Sequence, residues 1–96
     1  MRWIWDLKKA KRNFEKHTVS FELAERALGD PFAITVPNDF PDEERWTTLG
    51  SPSLDGKVIL YVVHTWPDEE NQEREAGRII SARQATIQER RKYEER

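Results

Sequence analysis

The sequence predicts an α+β domain with two N-terminal helices, a four-stranded antiparallel sheet and a C-terminal helix. Helical periodicity is confined to the two ends of the chain, whereas strand-like runs fill residues 32–83. Asp55-Gly56 lies between two of these runs and indicates a hairpin. Helices segregated from hairpin-connected strands are typical of an α+β fold. With 96 residues, the chain is expected to form a single domain, residues 1–96.

Two helices are expected before the sheet. Asp6 is positioned to cap the first, over about residues 7–17, and Ser20 to cap the second, which Gly29 can end. In the first helix an apolar stripe is expected to face the body of the protein. The stripe consists of Leu7, Ala10, Phe14 and His17. In the second helix Phe21, Ala24 and Leu28 share one face.

Four strands and a final helix are expected after these two helices. The predicted strands are residues 32–36, 45–50, 57–65 and 78–83. The third is almost continuously apolar, as expected of a central strand. Thr86 and Glu89 have the spacing of a capping box that opens a helix over about 87–95. Because Ile87 and Tyr93 are its only large hydrophobic residues, this helix is expected to be weakly anchored.

Charge is unevenly distributed along the chain. Residues 1–17 carry a net charge of +4, residues 18–77 carry −9 and residues 78–96 carry +3. Two basic ends predict a polyanion-binding surface if they meet in the fold, and solvated helix faces are the alternative. The absence of cysteine excludes disulfides, thiol nucleophiles and thiolate metal sites. No apolar run has the length of a membrane span or the pattern of a signal peptide, so a cytoplasmic protein is expected.

Three separated motifs resemble those of one protein family. The first comprises Trp5-Asp6, Lys9, Asn13, Lys16-His17, Val19-Ser20-Phe21-Glu22, Ala24 and Asp30-Pro31. The second comprises Glu44-Arg45-Trp46 and Leu49-Gly50. The third comprises Arg78-Ile79-Ile80-Ser81-Ala82-Arg83, Ala85, Glu89-Arg90 and Tyr93. Over about residues 5–93, the chain is similar to the BrnT toxins of bacterial type II toxin–antitoxin pairs.

The resemblance implies a fold similar to that of the RelE ribonucleases and cleavage of RNA that arrests translation. It also implies neutralisation by a BrnA antitoxin with a ribbon-helix-helix domain, so that DNA is contacted only through the antitoxin. The alternative is a catalytically degenerate homologue that binds its antitoxin as a co-repressor subunit. No cofactor and no metal are expected, because two histidines without cysteine give no metal-ligand spacing.

The chain departs from the family pattern in two places. The family commonly places an arginine shortly after the threonine that ends the central strand, whereas Trp66-Pro67 follows Thr65 here. The acidic run 68–75 lengthens the loop that follows, and Arg74 within it cannot be assumed to replace the missing cation. Thr18 also stands where the family usually has glycine, which is expected to affect only the turn between the first two helices.

Metal-independent RNA cleavage needs a base for the 2′-hydroxyl, an acid for the leaving oxygen and cations for the phosphorane. Arginine suits the last role because its planar fork pairs two phosphate oxygens. Arg45, Arg78 and Arg83 are the candidates. Arg78 and Arg83 are five residues apart, so they face opposite sides of a regular strand unless a bulge intervenes. Arg83, at the strand-to-helix junction, is the preferred catalytic residue, together with Arg45.

Candidates for proton transfer and RNA contact carry structural alternatives. His17 has the pKa range that proton transfer needs, but its place on the apolar stripe also fits a hydrogen-bonded histidine at the edge of the core. Glu44 and Glu89 could act as bases, or serve as a loop charge and a capping residue; we place His17 and Glu89 among the catalytic residues. His64, in the central strand, is expected to be structural.

The predicted RNA contacts are Lys16, Arg78, Arg90 and Tyr93, since an arginine beside an aromatic ring can bind a phosphate and stack a base.

Overall fold

Five strands form one mixed sheet in the computed structural model, which describes residues 2–67 and 76–95. The strands are β1 (Trp3–Ile4), β2 (Ile34–Asn38), β3 (Arg45–Gly50), β4 (Leu60–His64) and β5 (Gly77–Gln84), and the helices are α1 (Leu7–His17), α2 (Phe21–Leu28) and α3 (Ile87–Glu94). The strand order is β1-β5-β4-β3-β2. Strand β1 runs parallel to β5, and the other neighbours are antiparallel. The predicted α+β class is therefore confirmed, whereas the predicted four-stranded antiparallel sheet lacked one strand.

The additional strand, β1, pairs with β5 through its backbone and is also held by the contacts of the Trp3 side chain. The ring of Trp3 lies 5.1 Å from that of His64 and 5.8 Å from that of Trp66, measured between ring centroids. A Cβ atom at Gly77, the cross-strand partner of Trp3, would overlap the indole ring. Two residues are too few to show an alternating pattern, so this strand has no local signature in the sequence.

Helix α1 occupies the predicted residues and has the predicted cap, but its packed face differs from the prediction. The Asp6 carboxylate accepts hydrogen bonds from the backbone N–H groups of Lys8 and Lys9. Thr18 ends the helix in the left-handed conformation (φ 55°), which is the conformation that glycine adopts most readily. Leu7 is 81% exposed and Phe14 52% exposed, so these two residues of the predicted stripe face solvent.

Asn13 is the buried residue of α1, and its side chain binds the edge of β5. Its amide nitrogen donates to the carbonyl oxygens of Ala82 (2.8 Å) and Val19 (3.0 Å), and its amide oxygen accepts from the Ala82 N–H (3.1 Å). These bonds take the place of a neighbouring strand where the short strand β1 has already ended. The helix is therefore packed through a polar contact that an analysis of apolar periodicity does not detect.

The two faces of the sheet are covered differently. Helices α1 and α2 cover one face, where the core contains Val19, Phe21, Ala24, Ala27, Leu60, Val62, Ile79 and Ala82. On the other face α3 covers only one end, where Tyr93 packs with Leu49 and Ile59. Gly50 permits the close approach of α2, because a Cβ there would overlap the carbonyl oxygen of Ala27. None of the helices in the described ranges is long and apolar enough to cross a membrane.

His64 is fully buried in β4, as its position in the central strand predicted. Its Nε2 atom lies 2.6 Å from the hydroxyl oxygen of Thr48, which is 2.7 Å from that of Thr35. Its Nδ1 atom lies 3.1 Å from the carbonyl oxygen of Thr65. Burial lowers the pKa of His64 because the enclosure disfavours a charged imidazolium, and the hydrogen bond to Thr65 opposes this effect only in part.

The burial of His64 predicts a loss of stability in mild acid. Because the pKa of His64 is lower in the folded state, the unfolded chain binds the proton more readily, so stability is lost as the pH falls below about 6.5. The free energy of unfolding, measured by chemical denaturation, should fall between pH 7.5 and 5.5 by at most about 1.4 kcal/mol per pH unit. His64→Gln should remove this dependence and His17→Gln should retain it. An unchanged dependence in His64→Gln would contradict the assignment.

Candidate active site

The sheet face that α1 and α2 leave uncovered carries all three candidate arginines. We call this surface the open face; it comprises Arg45, Thr47, Tyr61, Val63, Arg78, Ser81 and Arg83. Thr47 pairs with Val63 and Val63 with Ser81, so these three residues form its floor. Tyr61 pairs with Arg83 at the end beside α3.

A β-bulge in β5 brings Arg78 and Arg83 to the same face. Val63 pairs with Ser81 and His64 pairs with Ile79, which leaves Ile80 between them without a partner. Because the alternation is reset at this residue, Arg78 projects to the open face with Arg83. The odd spacing placed them on opposite faces of a regular strand, but β5 is not regular. The two arginines are about 15 Å apart along the strand.

Arg83 is held between a carboxylate and an aromatic ring. Its Nη1 and Nη2 atoms donate to Oε1 and Oε2 of Glu89 at 2.8 and 3.0 Å, and its guanidinium carbon lies 3.9 Å from the centre of the Tyr61 ring. This hydrogen bonding raises the pKa of Arg83 and lowers that of Glu89. Glu89 also accepts from the Thr86 N–H, which completes the predicted capping box of α3. The guanidinium plane is therefore fixed at the strand-to-helix junction.

A second cationic cluster lies at the other end of the open face. One oxygen of Glu43 accepts hydrogen bonds from Arg45 Nε (3.0 Å) and Arg78 Nη2 (2.6 Å), while the Arg45 guanidinium carbon lies 3.6 Å from the centre of the Phe40 ring. The hydrogen bond from Arg45 is the largest cause that lowers the pKa of Glu43. One carboxylate thus serves two guanidinium groups, which leaves a net positive charge in this cluster.

Glu43, rather than its neighbour Glu44, is the glutamate that this cluster contains, and Glu44 is exposed. The sequence offered no reason to choose between adjacent acids in a loop. The described partner of Arg78 is likewise Glu43, in the connection between β2 and β3. The acidic run 68–75, which includes Arg74, lies outside the described residues.

His17 and Lys16 lie at the outer edge of β5. They contribute to a groove of about 320 Å³ between α1 and that strand. Its lining residues are Lys9, Arg12, Asn13, Lys16, His17, Ile80 and Ser81. Three cations and one imidazole line this groove without an accompanying carboxylate. Because Ser81 belongs to both surfaces, the groove adjoins the open face, and the two basic ends of the chain approach one another along β5.

Arg90 and Tyr93 anchor α3, which does not fit their predicted roles in RNA binding. Tyr93 is 7% exposed and donates a hydrogen bond to Asp30, so its ring has no free face for a stacked base. Arg90 donates to the carbonyl oxygens of Lys57 (2.7 Å) and Gly56 (3.4 Å). The small apolar contact of α3 was correctly predicted, but polar contacts supplement it. The helical spacing predicted that these side chains share one face of α3. It carried no information on whether that face is buried or exposed.

Within residues 2–67 and 76–95, no three acidic or histidine side chains are grouped closely enough to hold a metal ion. The open face instead brings together arginines, carboxylates and an aromatic ring. These are the groups that bind phosphates, transfer protons and stack bases.

Comparison with known proteins gives one family. Residues 5–89 match the family described as "Ribonuclease toxin, BrnT, of type II toxin-antitoxin system". No curated protein matches the chain. The match covers most of the chain and includes the three motifs, up to Glu89 in the third. The endoribonuclease class predicted from the sequence agrees with this family. The chain therefore belongs to the BrnT family of ribonuclease toxins of type II toxin–antitoxin systems, as its motifs predicted.

Proposed function

We propose that this toxin cleaves single-stranded RNA without a metal ion and thereby inhibits translation. In the proposed reaction, a ribose 2′-hydroxyl loses its proton to a base and attacks the adjacent phosphate to form a 2′,3′-cyclic phosphate, and the 5′ oxygen leaves with a proton taken from solvent. The observation that carries the proposal is the geometry of Arg83, whose planar fork is fixed on Tyr61 and engages both oxygens of Glu89. A phosphate can accept the same pair of parallel hydrogen bonds.

Phosphate binding at Arg83 would also activate a base. Glu89 occupies the position that two phosphate oxygens would take, so the phosphate must displace it. Displacement removes the hydrogen bond that is the largest cause of the lowered pKa of Glu89. The carboxylate then becomes a stronger base when substrate arrives, and it can take the 2′-hydroxyl proton. Arg45 and Arg78 would stabilise a second phosphate at the far end of the open face.

The proposed partners follow from the surface charge. RNA would lie on the open face and continue into the groove beside α1, where Lys16 contacts its backbone. A BrnA-like antitoxin with a ribbon-helix-helix domain would cover these cations with an acidic segment and contact DNA on behalf of the complex. Both proteins would act in the cytoplasm.

One observation favours the alternative of a degenerate, antitoxin-binding subunit. Trp66 lies close to where the family commonly has an arginine, and its ring is 4.9 Å from that of His64 and 5.8 Å from that of Trp3. This position therefore supplies packing rather than a cation. The cationic groups needed for RNA cleavage would therefore have to come from the three arginines of the open face.

Arg83→Ala should lower RNA cleavage by roughly 10²–10³-fold and relieve growth arrest, because a phosphate-facing donor acts mainly in the transition state. Arg83→Lys should recover little activity, because an ammonium group cannot form the bidentate contact. Cleavage of a defined RNA and circular-dichroism melting measure the two effects. Arg26→Ala, an exposed arginine on α2, is the control. If the wild type neither cleaves RNA nor arrests growth, and Arg83→Ala behaves in the same way, the degenerate-subunit alternative replaces the ribonuclease proposal.

Glu89→Gln tests the proposed base. Glutamine keeps an acceptor for the helix cap but removes the charge that competes with phosphate for Arg83. We expect tighter binding of a 2′-O-methyl RNA, which cannot be cleaved, together with a roughly 10²–10⁴-fold slower cleavage of ordinary RNA. Glu94→Gln, which removes the carboxylate paired with Arg90 on the same helix, should change neither. Cleavage by Glu89→Gln at the wild-type rate would assign the base elsewhere.

Arg45→Ala and His17→Ala should differ in what they impair. Arg45 lies on the open face, so its loss should slow cleavage while the melting temperature stays nearly constant. His17 lies half-buried between α1 and β5, so its loss should lower stability at least as much as activity. Thermal melting and cleavage rates, measured on the same preparations, separate the two effects. A His17→Ala protein that melts normally but cannot cleave RNA would make His17 the proton-transfer residue.

A further inference from the structure

A pocket of about 350 Å³ opens beside Arg83, between strands β2 to β4 and one side of α3. Residues that line it include Ile34, Val36, Asn38, Asp39, Leu49, Tyr61 and Glu89. The proposed chemistry uses only two of these residues, Tyr61 and Glu89. The rest of the pocket therefore has no role in the reaction described above.

The pocket is directly continuous with the proposed phosphate site. Tyr61 and Glu89, which form part of its wall, are the same two groups that hold Arg83. A phosphate that replaced Glu89 at Arg83 would therefore sit at the border of the pocket. In single-stranded RNA the bases can be splayed away from the backbone, so a neighbouring base would lie within reach.

The lining of the pocket suits a flat ring with polar edges. Ile34, Val36 and Leu49 supply an apolar wall, and Tyr61 supplies an aromatic ring. Such a mainly apolar slot with a few placed polar groups is typical of sites for small planar ligands. Stacking on an aromatic ring and hydrogen bonding at the base edge are the means by which proteins recognise unpaired bases.

On the β2 side the polar groups of the pocket, Asn38 and Asp39, offer acceptors, whereas Lys92 offers an ammonium donor from α3. The amide nitrogen of Asn38 donates to the Thr47 hydroxyl oxygen at 2.9 Å, which turns the amide oxygen away from that contact. The carboxylate of Asp39 lies beside it in the chain and is exposed. Two acceptors favour a base whose Watson–Crick edge carries N–H donors. Uracil, whose single N–H on that edge lies between two carbonyl groups, fits least well.

We propose that this pocket binds one nucleobase of the RNA next to the cleaved bond and so determines which sequences the toxin cuts. The inference rests on the proposed ribonuclease function. The occupant is a base rather than a protein segment because the pocket shares its wall with the arginine that would hold the phosphate of the same strand.

The test combines a filled pocket with a deleted base. Val36 is 50% exposed, so Val36→Trp can fill the pocket without disturbing the core; Val58→Trp, at a valine outside the pocket, is the matched control. The substrate is an RNA oligonucleotide with one mapped cleavage site, prepared intact and with a single abasic ribose at each of the two positions on either side. Cleavage rates are measured for all combinations, and melting temperatures confirm folding.

We expect one abasic position to slow the wild type by roughly 5- to 100-fold, as loss of a stacked base should. Val36→Trp should slow cleavage of the intact RNA to a similar extent, and the abasic substitution should then cause no further slowing. Val58→Trp should behave as the wild type. Asn38→Ala, as a second variant, should reduce the discrimination against uracil at that position. This variant keeps the test decisive if Val36→Trp does not fold.

Failure of the pocket proposal and failure of the ribonuclease proposal would give different results. Independent, multiplicative effects of the abasic ribose and Val36→Trp, or unchanged base preference in Asn38→Ala, would overturn the pocket while leaving the ribonuclease in place. A wild type that cuts no RNA would instead overturn the ribonuclease function on which the inference rests. Normal cleavage by Val36→Trp together with lost affinity for the antitoxin would assign the pocket to the protein partner and overturn the inference.

Discussion

In β5, the lack of a cross-strand partner for Ile80 determines which face of the sheet Arg78 occupies relative to Arg83. Ile79 and Ala82, on either side of the bulge, both enter the core beneath the helices, and Arg78 and Arg83 consequently share the opposite face. Asn13 fixes the outer edge of the same strand by bonding both backbone groups of Ala82. Without the bulge, a regular strand would send one arginine into the helix-covered side. The open face depends on this irregularity.

The carboxylates that organise this face also compete with its proposed ligand. Glu43 holds Arg45 and Arg78, and Glu89 holds Arg83, so the free protein has oriented guanidinium groups and retains one uncompensated positive charge at the Glu43 cluster. Orientation in advance lowers the entropic cost of binding a phosphate. Displacing Glu89 adds a cost, because this carboxylate also caps α3. In the proposed reaction, substrate binding and the order of the first turn of α3 would therefore be coupled through Glu89.

Local chemistry in the sequence predicted the helices and their caps. Asp6, Ser20 and the pair Thr86–Glu89 perform the capping roles that their types and spacing indicated, because a cap involves only neighbouring residues. The four longer strands were also recognisable. Strand β1 was missed because its stability comes from the contacts of Trp3 with residues more than sixty positions away.

The sequence predicted Arg45, Arg78 and Arg83 as candidates, and the structure places all three on one face in an arrangement that the sequence did not predict. Arg45 and Arg83 were recognisable as residue types at strand ends, whereas the bulge at Ile80 follows from pairing with β4 and leaves no local signature. The burial of Tyr93 likewise depends on residues that are distant in the sequence. Its spacing on α3 suited an exposed stacking platform, but burial depends on Leu49 and Ile59 of the sheet, which the helix sequence alone does not contain.

The aromatic enclosure of His64 gives a physical reason for the departure at Trp66. Trp3 and Trp66 both pack edge-on against the imidazole of His64, and this burial lowers the pKa of His64 and favours the neutral ring. A neutral imidazole can hydrogen-bond to the Thr48 hydroxyl and to the Thr65 carbonyl oxygen without placing a charge in the core. An aromatic residue after β4 therefore stabilises the end of the sheet that carries Arg78, whose backbone N–H bonds the Thr65 hydroxyl at 2.9 Å. Trp66 supplies no cation at this position, but it packs against His64 at the end of β4, next to Thr65, whose hydroxyl accepts from the Arg78 N–H.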